Sequence, residues 1–332
     1  MEKRVALWDN VRFFLITSVV VGHFADEFTA QSDVCRSLFL FIYAFHMPLF
    51  IWISGHLHKN NRIKEKCLFY ICTGFLLKIL LTVFRWIVGY SPFFSLLSDG
   101  GIPWFLFALA GYTLITYVLR DKNKWFVLIV SILVACFCGF DSTISDYLYL
   151  SRIVVFFPFY WFGTMVDLDV VLRLKRKKWM VGCSVVVLIV WAMTCLFALD
   201  DVYAWRYFFT GRNPFWNEVW STGPLLRLLT YAISVLTSMA IVMLTPQGTV
   251  RFLSKMGARS IDVYVWHWPI FLLAYRFLHI HDLFSFGIAG KTAYFLCAVL
   301  LSVLLSQGGF ISYPLETIRK FCYEKKETNS SV

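Results

Sequence analysis

Charge is what this sequence has least of. Only 15% of its 332 residues are Asp, Glu, Lys or Arg, while 59% are hydrophobic; soluble domains run at about 25% and about 45–50%. An ordinary water-soluble domain is thereby excluded. Its nine cysteines form no C-x-x-C and lie mostly in apolar stretches, with Cys35 alone clearly in a loop, so neither a disulfide framework nor a zinc site is indicated. The seven histidines lack a metal spacing: His56 and His58 stand two apart, on different faces of a helix. There is no Gly-rich phosphate loop, no G-x-S-x-G and no Ser/His/Asp set in usable order. No small-residue cleavage site follows the first apolar run, so Met1-Glu-Lys-Arg4 does not read as the head of a cleavable signal peptide. No internal repeat is found, which weighs mildly against a transporter.

What is present is hydrophobic length. Mean hydropathy is +0.68, and the apolar residues fall in ten blocks: 11–27, 38–58, 67–88, 103–119, 125–140, 153–166, 179–199, 225–244, 261–278 and 286–306. A helix of about 20 residues crosses a hydrocarbon core of about 30 Å. The expected fold is an all-α polytopic membrane protein of about ten transmembrane helices, nine or eleven if the fifth and sixth blocks are miscounted. Residues 1–315 form the membrane domain, and 316–332 a polar cytosolic tail.

Charge alternation supports that count. Alternate loops hold Lys3/Arg4, Lys59 to Lys66, Arg120 to Lys124, Arg173 to Lys178, Arg251 to Arg259, and Arg319 to Lys326. The loops between hold Asp26, Glu27, Asp33, Asp99, Asp141, Asp146, Asp200, Asp201, Glu218 and Asp282. The positive-inside rule then places both termini in the cytosol, in a cell membrane that we expect to be a bacterial inner membrane. The net charge of +11 is topogenic on this reading, and no nucleic-acid partner is needed.

Polar residues inside the blocks carry the chemistry. Arg12 and His23 lie eleven positions apart, three helical turns, so they share a helix face about 16 Å apart along the axis. An ionisable group at such depth costs about 2.5–3.5 kcal/mol on insertion scales, which makes each a functional candidate. Asp9 precedes them; His46 follows in the second block, Lys78 and Arg85 on one face of the third, then Arg152, Arg227, His267 and Arg276. Acids are nearly absent from block interiors, so a bound anion would supply the missing charge. Plainer roles compete. Arg12 could snorkel and pair with Asp9; His23 could be a neutral interhelical histidine; His46 and His267 could satisfy backbone loosened by Pro48 and Pro269. Arg85 and Arg227 could snorkel to the outer edge. The aromatic 200–224 segment, with Trp205 and Trp216, could be an interfacial belt.

Trp8-Asp-Asn-Val-Arg12 leading to His23, then Phe45-His-Met-Pro-Leu-Phe-Ile-Trp-Ile-Ser-Gly55, resembles the opening of the membrane acyltransferase-3 family. Pro103-Trp-Phe-Leu-Phe-Ala-Leu109 is similar to a Trp-Phe-Leu element of its fourth span, and Ser151-Arg-Ile-Val-Val-Phe-Phe-Pro-Phe-Tyr-Trp-Phe-Gly163 to a stretch of its fucose 4-O-acetylase-like branch. The resemblance runs from about Arg4 to about Pro314. It implies transfer of an acetyl group from acetyl-CoA to a hydroxyl of a cell-surface or exported carbohydrate, lipid-linked or polymeric, with no metal. It also implies that His23 is the catalytic histidine and Arg12 its paired arginine. The family's basic-x-Arg pair is missing around the third span, where Phe84-Arg85-Trp86 offers one basic residue.

The expected site therefore has His23 as general base, or as a nucleophile through a transient acyl-histidine. Asp9 orients Arg12, and His46 assists the proton or the acceptor. Arg12, Lys78 and Arg85 are expected at the donor; Trp104, Arg152, Trp205 and Trp216 at the acceptor, amid membrane lipids. The competing readings are a transporter or flippase for an anionic glycan or lipid, and a non-catalytic partner in glycan assembly.

Overall fold

The apolar blocks become helices joined by polar turns in the computed structural model, which describes residues 5–98, 101–212 and 214–324. Lys3, Arg4, Asp99, Lys325 and Lys326 of the charge pattern lie outside the described residues. In chain order the helices are α1 (Ala6–Asp26), α2 (Asp33–Tyr43), α3 (His46–His56), α4 (Ile63–Ile87), α5 (Trp104–Leu119), α6 (Lys124–Phe137), α7 (Leu150–Met165) and α8 (Leu168–Lys175). They continue with α9 (Lys178–Phe197), the single turns α10 (Leu199–Val202) and α11 (Arg206–Phe209), α12 (Gly223–Leu244), α13 (Arg251–Gly257), α14 (Ser260–Phe277), α15 (Gly287–Leu305) and α16 (Tyr313–Glu324). No strand occurs among the described residues.

Every expected block holds a helix. Six segments are long and apolar enough to cross a membrane: Asp33–His56, α4, Tyr147–Met165, α9, α12 and α15. Helices α5 and α6 are shorter apolar helices. In α1 and α14 the dilution comes from the polar residues that make them interesting, among them Asp9, Asn10 and Arg12, and Asp262 and His267.

The Asp33–His56 segment is broken between α2 and α3. Pro48 has no N–H to give and its ring crowds the carbonyl one turn back, so the helix restarts at His46. The His46 side chain covers the break, with Nδ1 2.9 Å from the Ile42 carbonyl. Cys35, expected in a loop, lies instead in the first turn of α2 and is fully buried; all nine cysteines are free thiols.

Helices α3 and α7 pack in close backbone contact, and their glycines face each other. A Cβ on Gly55 would stand 1.9 Å from the Tyr160 carbonyl oxygen, and one on Gly163 2.2 Å from that of Trp52. At the other end of α1, α13 presses equally close, with Gly257 over the Asp9 carbonyl. Lys175, at the end of α8, donates to the carbonyls of Val242, Met243 and Thr245 at 2.7–2.9 Å and so closes the open C-terminus of α12. Helix α16 lies on α4, burying Leu315 and Cys322. It runs across the expected domain boundary at 315/316.

Asn10 holds the α12–α13 connection to α1. Its Nδ2 donates to Pro246 O at 2.8 Å and Gly248 O at 2.9 Å, while its Oδ1 accepts from Ser254 Oγ at 2.7 Å. Asn10→Ala removes three hydrogen bonds between the connection and α1; Pro246 and Gly248 are exposed and turn to water, so each lost bond costs about 0.5–1.5 kcal/mol. We expect the variant to melt several degrees lower in detergent, read by loss of the monodisperse chromatographic peak on heating; an unchanged melt rejects this anchoring role.

Candidate active site

The C-terminal half of α1 carries His23 to the wall of a cavity of about 1420 Å³, larger than the roughly 300–1,000 Å³ of an ordinary small-molecule pocket. Val19, His23 and Asp26 of α1, with Tyr43, His46 and Met47 at the α2–α3 break, line one side. Opposite are Lys78 and Arg85 of α4, Trp104 of α5 and Arg152 of α7. Tyr264 and Trp268 come from α14. Residues 203–212 and 214–216 cover the cavity with Arg206, Tyr207, Arg212 and Trp216 among others.

Three histidines meet here. The His23 ring stacks on His267 at 5.4 Å between centroids and 28° between planes, and meets Trp268 at 5.2 Å. His267 is 1% exposed, with Nδ1 2.9 Å from the carbonyls of both Val263 and Tyr264. A carbonyl only accepts, so Nδ1 carries the proton and the lone pair of the neutral ring is at Nε2. That Nε2 is buried and makes no hydrogen bond. His46 is set the same way by Ile42, with its ring against Tyr43 at 4.5 Å. The plainer roles of His46 and His267 are thus realised at Nδ1, and both rings keep a second nitrogen.

The cavity is strongly cationic. Arg152 is buried, lies 4.8 Å over the Trp104 ring and pairs with Asp146 at 3.8 Å. Arg212 bonds the other oxygen of the same carboxylate. Arg206 lies between the rings of Tyr203 and Tyr207, each at 4.1 Å. Lys78 donates to the carbonyls of Ser95 at 2.6 Å and Leu96 at 3.1 Å, and so holds the segment that follows α4 against that helix. The cover is fastened from below: Ser151 Oγ donates to Gly211 O at 2.6 Å and Arg227 Nη1 to Phe208 O at 2.8 Å. Arg227 is fully buried. It anchors the cover rather than snorkelling.

Arg12 belongs to the other end of α1, where Nη1 lies 3.4 Å from Asp9 Oδ1. Its side chain is 26% exposed and that of Asp9 7%. Neither lines the cavity, whose α1 wall reaches only to Val19. The expected donor set is therefore divided: Lys78 and Arg85 share the cavity with His23, and Arg12 does not. Of the expected acceptor residues, Trp104, Arg152 and Trp216 line the cavity. Trp205 packs on the apolar cluster of Leu40 and Trp191 instead.

A family model described as an acyltransferase domain matches residues 5–308. The chain belongs to the acyltransferase-3 family. Neither a curated protein nor a solved structure matches it. In this membrane acyltransferase, Arg206 and Arg212 line the cavity from a segment whose aromatics dominate its sequence. Their signal was present, as two cations in a segment otherwise read as acidic and aromatic. Also unforeseen, His279, His281 and Asp282 bring ligand atoms within 4.8 Å of one another at a turn after α14. None of the three lines the cavity.

Proposed function

We propose that this acyltransferase moves an acetyl group from acetyl-CoA to a hydroxyl of a cell-surface or exported carbohydrate, with His23 as general base. One observation carries the reading: His23 stands in a large cavity with aromatic walls, at the opposite end of a single helix from the Arg12–Asp9 pair. Ten spans with both termini in the cytosol put Arg12 at the cytosolic face and the cavity mouth outside, in a cell membrane, for which a bacterial inner membrane is our choice. Cytosolic acetyl-CoA then approaches from the Arg12 end. Arg12, oriented by Asp9, pairs with its phosphates, and the pantetheine arm extends along α1 toward His23.

The acceptor hydroxyl gives its proton to His23 while its oxygen bonds to the thioester carbonyl carbon. The C–S bond breaks, and the CoA thiolate takes the proton back from the imidazolium. The products are an O-acetyl ester and CoA. His46, on the same side of the cavity as His23, holds the acceptor hydroxyl through its second ring nitrogen, and Trp104 and Trp216 offer ring faces to the sugar. The branch resemblance makes fucose or a related deoxysugar one acceptor to try.

Calorimetry on the detergent-purified protein tests the donor half without knowledge of the sugar. Wild type is expected to bind acetyl-CoA, and Arg12→Ala to bind it at least about tenfold more weakly, the size of one charge-assisted contact of about 1.5–3 kcal/mol. Unchanged affinity in Arg12→Ala rejects the anion-capture role. No binding by folded wild type rejects acetyl-CoA as donor.

A further inference from the structure

Cations gather around the cavity at the His23 end of α1, away from the Arg12 end. Five of them, Lys78, Arg85, Arg152, Arg206 and Arg212, line the cavity, and Asp26 is the one carboxylate among the lining residues described. Asp146 adds a second negative charge from behind, bridging Arg152 and Arg212. The contacts that fix Arg206 are neutral: the Tyr203 carbonyl, the Tyr207 hydroxyl and the ring faces of both tyrosines. Such contacts orient a cation and leave its charge in place. A concave wall with same-sign charges and low-dielectric backing concentrates counter-ions within it.

We propose, building on the reading of His23 as the acyl-transfer base, that the acceptor is itself anionic: a glycan bearing a carboxylate or a phosphate, held through the Arg152–Asp146–Arg212 cluster and Arg206. Three features select the acceptor as the source of that charge. The cluster lies at the His23 end and in the cover, away from Arg12. The cavity is large enough for more than one sugar ring. Aromatic faces stand between the cations, as an acidic sugar with one charged and several apolar edges requires. Arg152 is buried and preset, while the Arg212 side chain is 49% exposed, so Arg212 meets the ligand first and shares the carboxylate that steadies Arg152.

Binding is read by quenching of the intrinsic tryptophan fluorescence, without acetyl-CoA. The probes are trigalacturonate, its fully methyl-esterified form, which keeps the sugar and removes the charge, and a short-chain prenyl diphosphate. Trigalacturonate or the diphosphate is expected to bind at least about tenfold more tightly than the ester, the size of one charge-assisted contact, with affinity falling as salt rises. Preference for trigalacturonate assigns the charge to the sugar; preference for the diphosphate assigns it to a lipid carrier. Arg212→Glu and the milder Arg212→Gln should each bring the charged-to-neutral ratio toward one. Equal binding of charged and neutral probes, no binding of either anion, or a ratio unchanged in both variants overturns the proposal. Acetyl-CoA binding is measured separately, so failure of the donor reading and failure of the anionic acceptor give different results.

Discussion

His23→Ala is expected to lower acetyl transfer at least about a hundredfold, within the range for removal of a positioned general base, while the protein still inserts and purifies. The fold should survive because His23 is half-buried on a cavity wall, where its contacts are the rings of His267 and Trp268. The helix around it is held by buried apolar neighbours such as Val19, Val20 and Phe24, and alanine is the best helix former. The measurement is acceptor-dependent release of CoA thiol, with acetyl-CoA affinity followed in the same preparation. Turnover above about a tenth of wild type contradicts proton removal by His23, because loss of a general base costs about 10²–10⁴-fold. Loss of turnover together with donor affinity would place His23 in binding instead.

His267 offers a second reading of the same site. Its Nδ1 is tied to two carbonyls of its own turn, so its ring cannot swing away when His23 changes charge. On the proposed mechanism, a neutral ring stacked on His23 would stabilise the imidazolium formed when the acceptor proton is taken. His267→Phe keeps the stack and removes the Nδ1 contact. It is expected to reduce turnover less than His23→Ala does, with KM for the acceptor moving little.

The sequence exposes part of this site and conceals the rest for definable reasons. Arg12 and His23 are legible because both lie on one helix, where spacing alone fixes face and separation. Lys78 and Arg85 also share a face, but spacing does not say which end of the bundle they occupy. Helix α4 is the third expected span and therefore runs in the same sense as α1, which carries its C-terminal cations to the His23 end. The alternation of charged loops already contained that answer. The cover was opaque: Gly211, Phe208 and Phe215 are placed by Ser151, Arg227 and the Gly139 carbonyl, contacts that span 19 to 76 residues of sequence. Arg227 reads in the sequence as a residue reaching for water because it lies near the outer edge of its apolar block. Its actual partner is a backbone carbonyl of the cover, and no periodicity announces that.

Gly163→Ala is expected to be among the most damaging small substitutions in the protein, with little folded material recovered. The added methyl would stand 2.2 Å from the Trp52 carbonyl oxygen and 2.8 Å from the His56 amide nitrogen. Both are backbone atoms of α3, so no side chain can turn aside. Gly55→Ala meets the reciprocal obstacle at the Tyr160 carbonyl, 1.9 Å away. Relief requires α3 and α7 to separate, and overpacking of a tight core costs about 1–3 kcal/mol or more. The same movement shifts His46 on α3 and Arg152 on α7, two opposite parts of the cavity wall, so any protein that folds should also lose acceptor affinity. Gly182→Ala provides the comparison: Gly182 lies within α9 with nothing near its would-be Cβ, and alanine there gains up to about 1 kcal/mol of helix propensity. Melting of the three variants by fluorescence-detected size exclusion decides the matter. A Gly163→Ala protein that melts with wild type would mean that the two glycines, which close two of the recognisable motifs, are not there to bring the helices together.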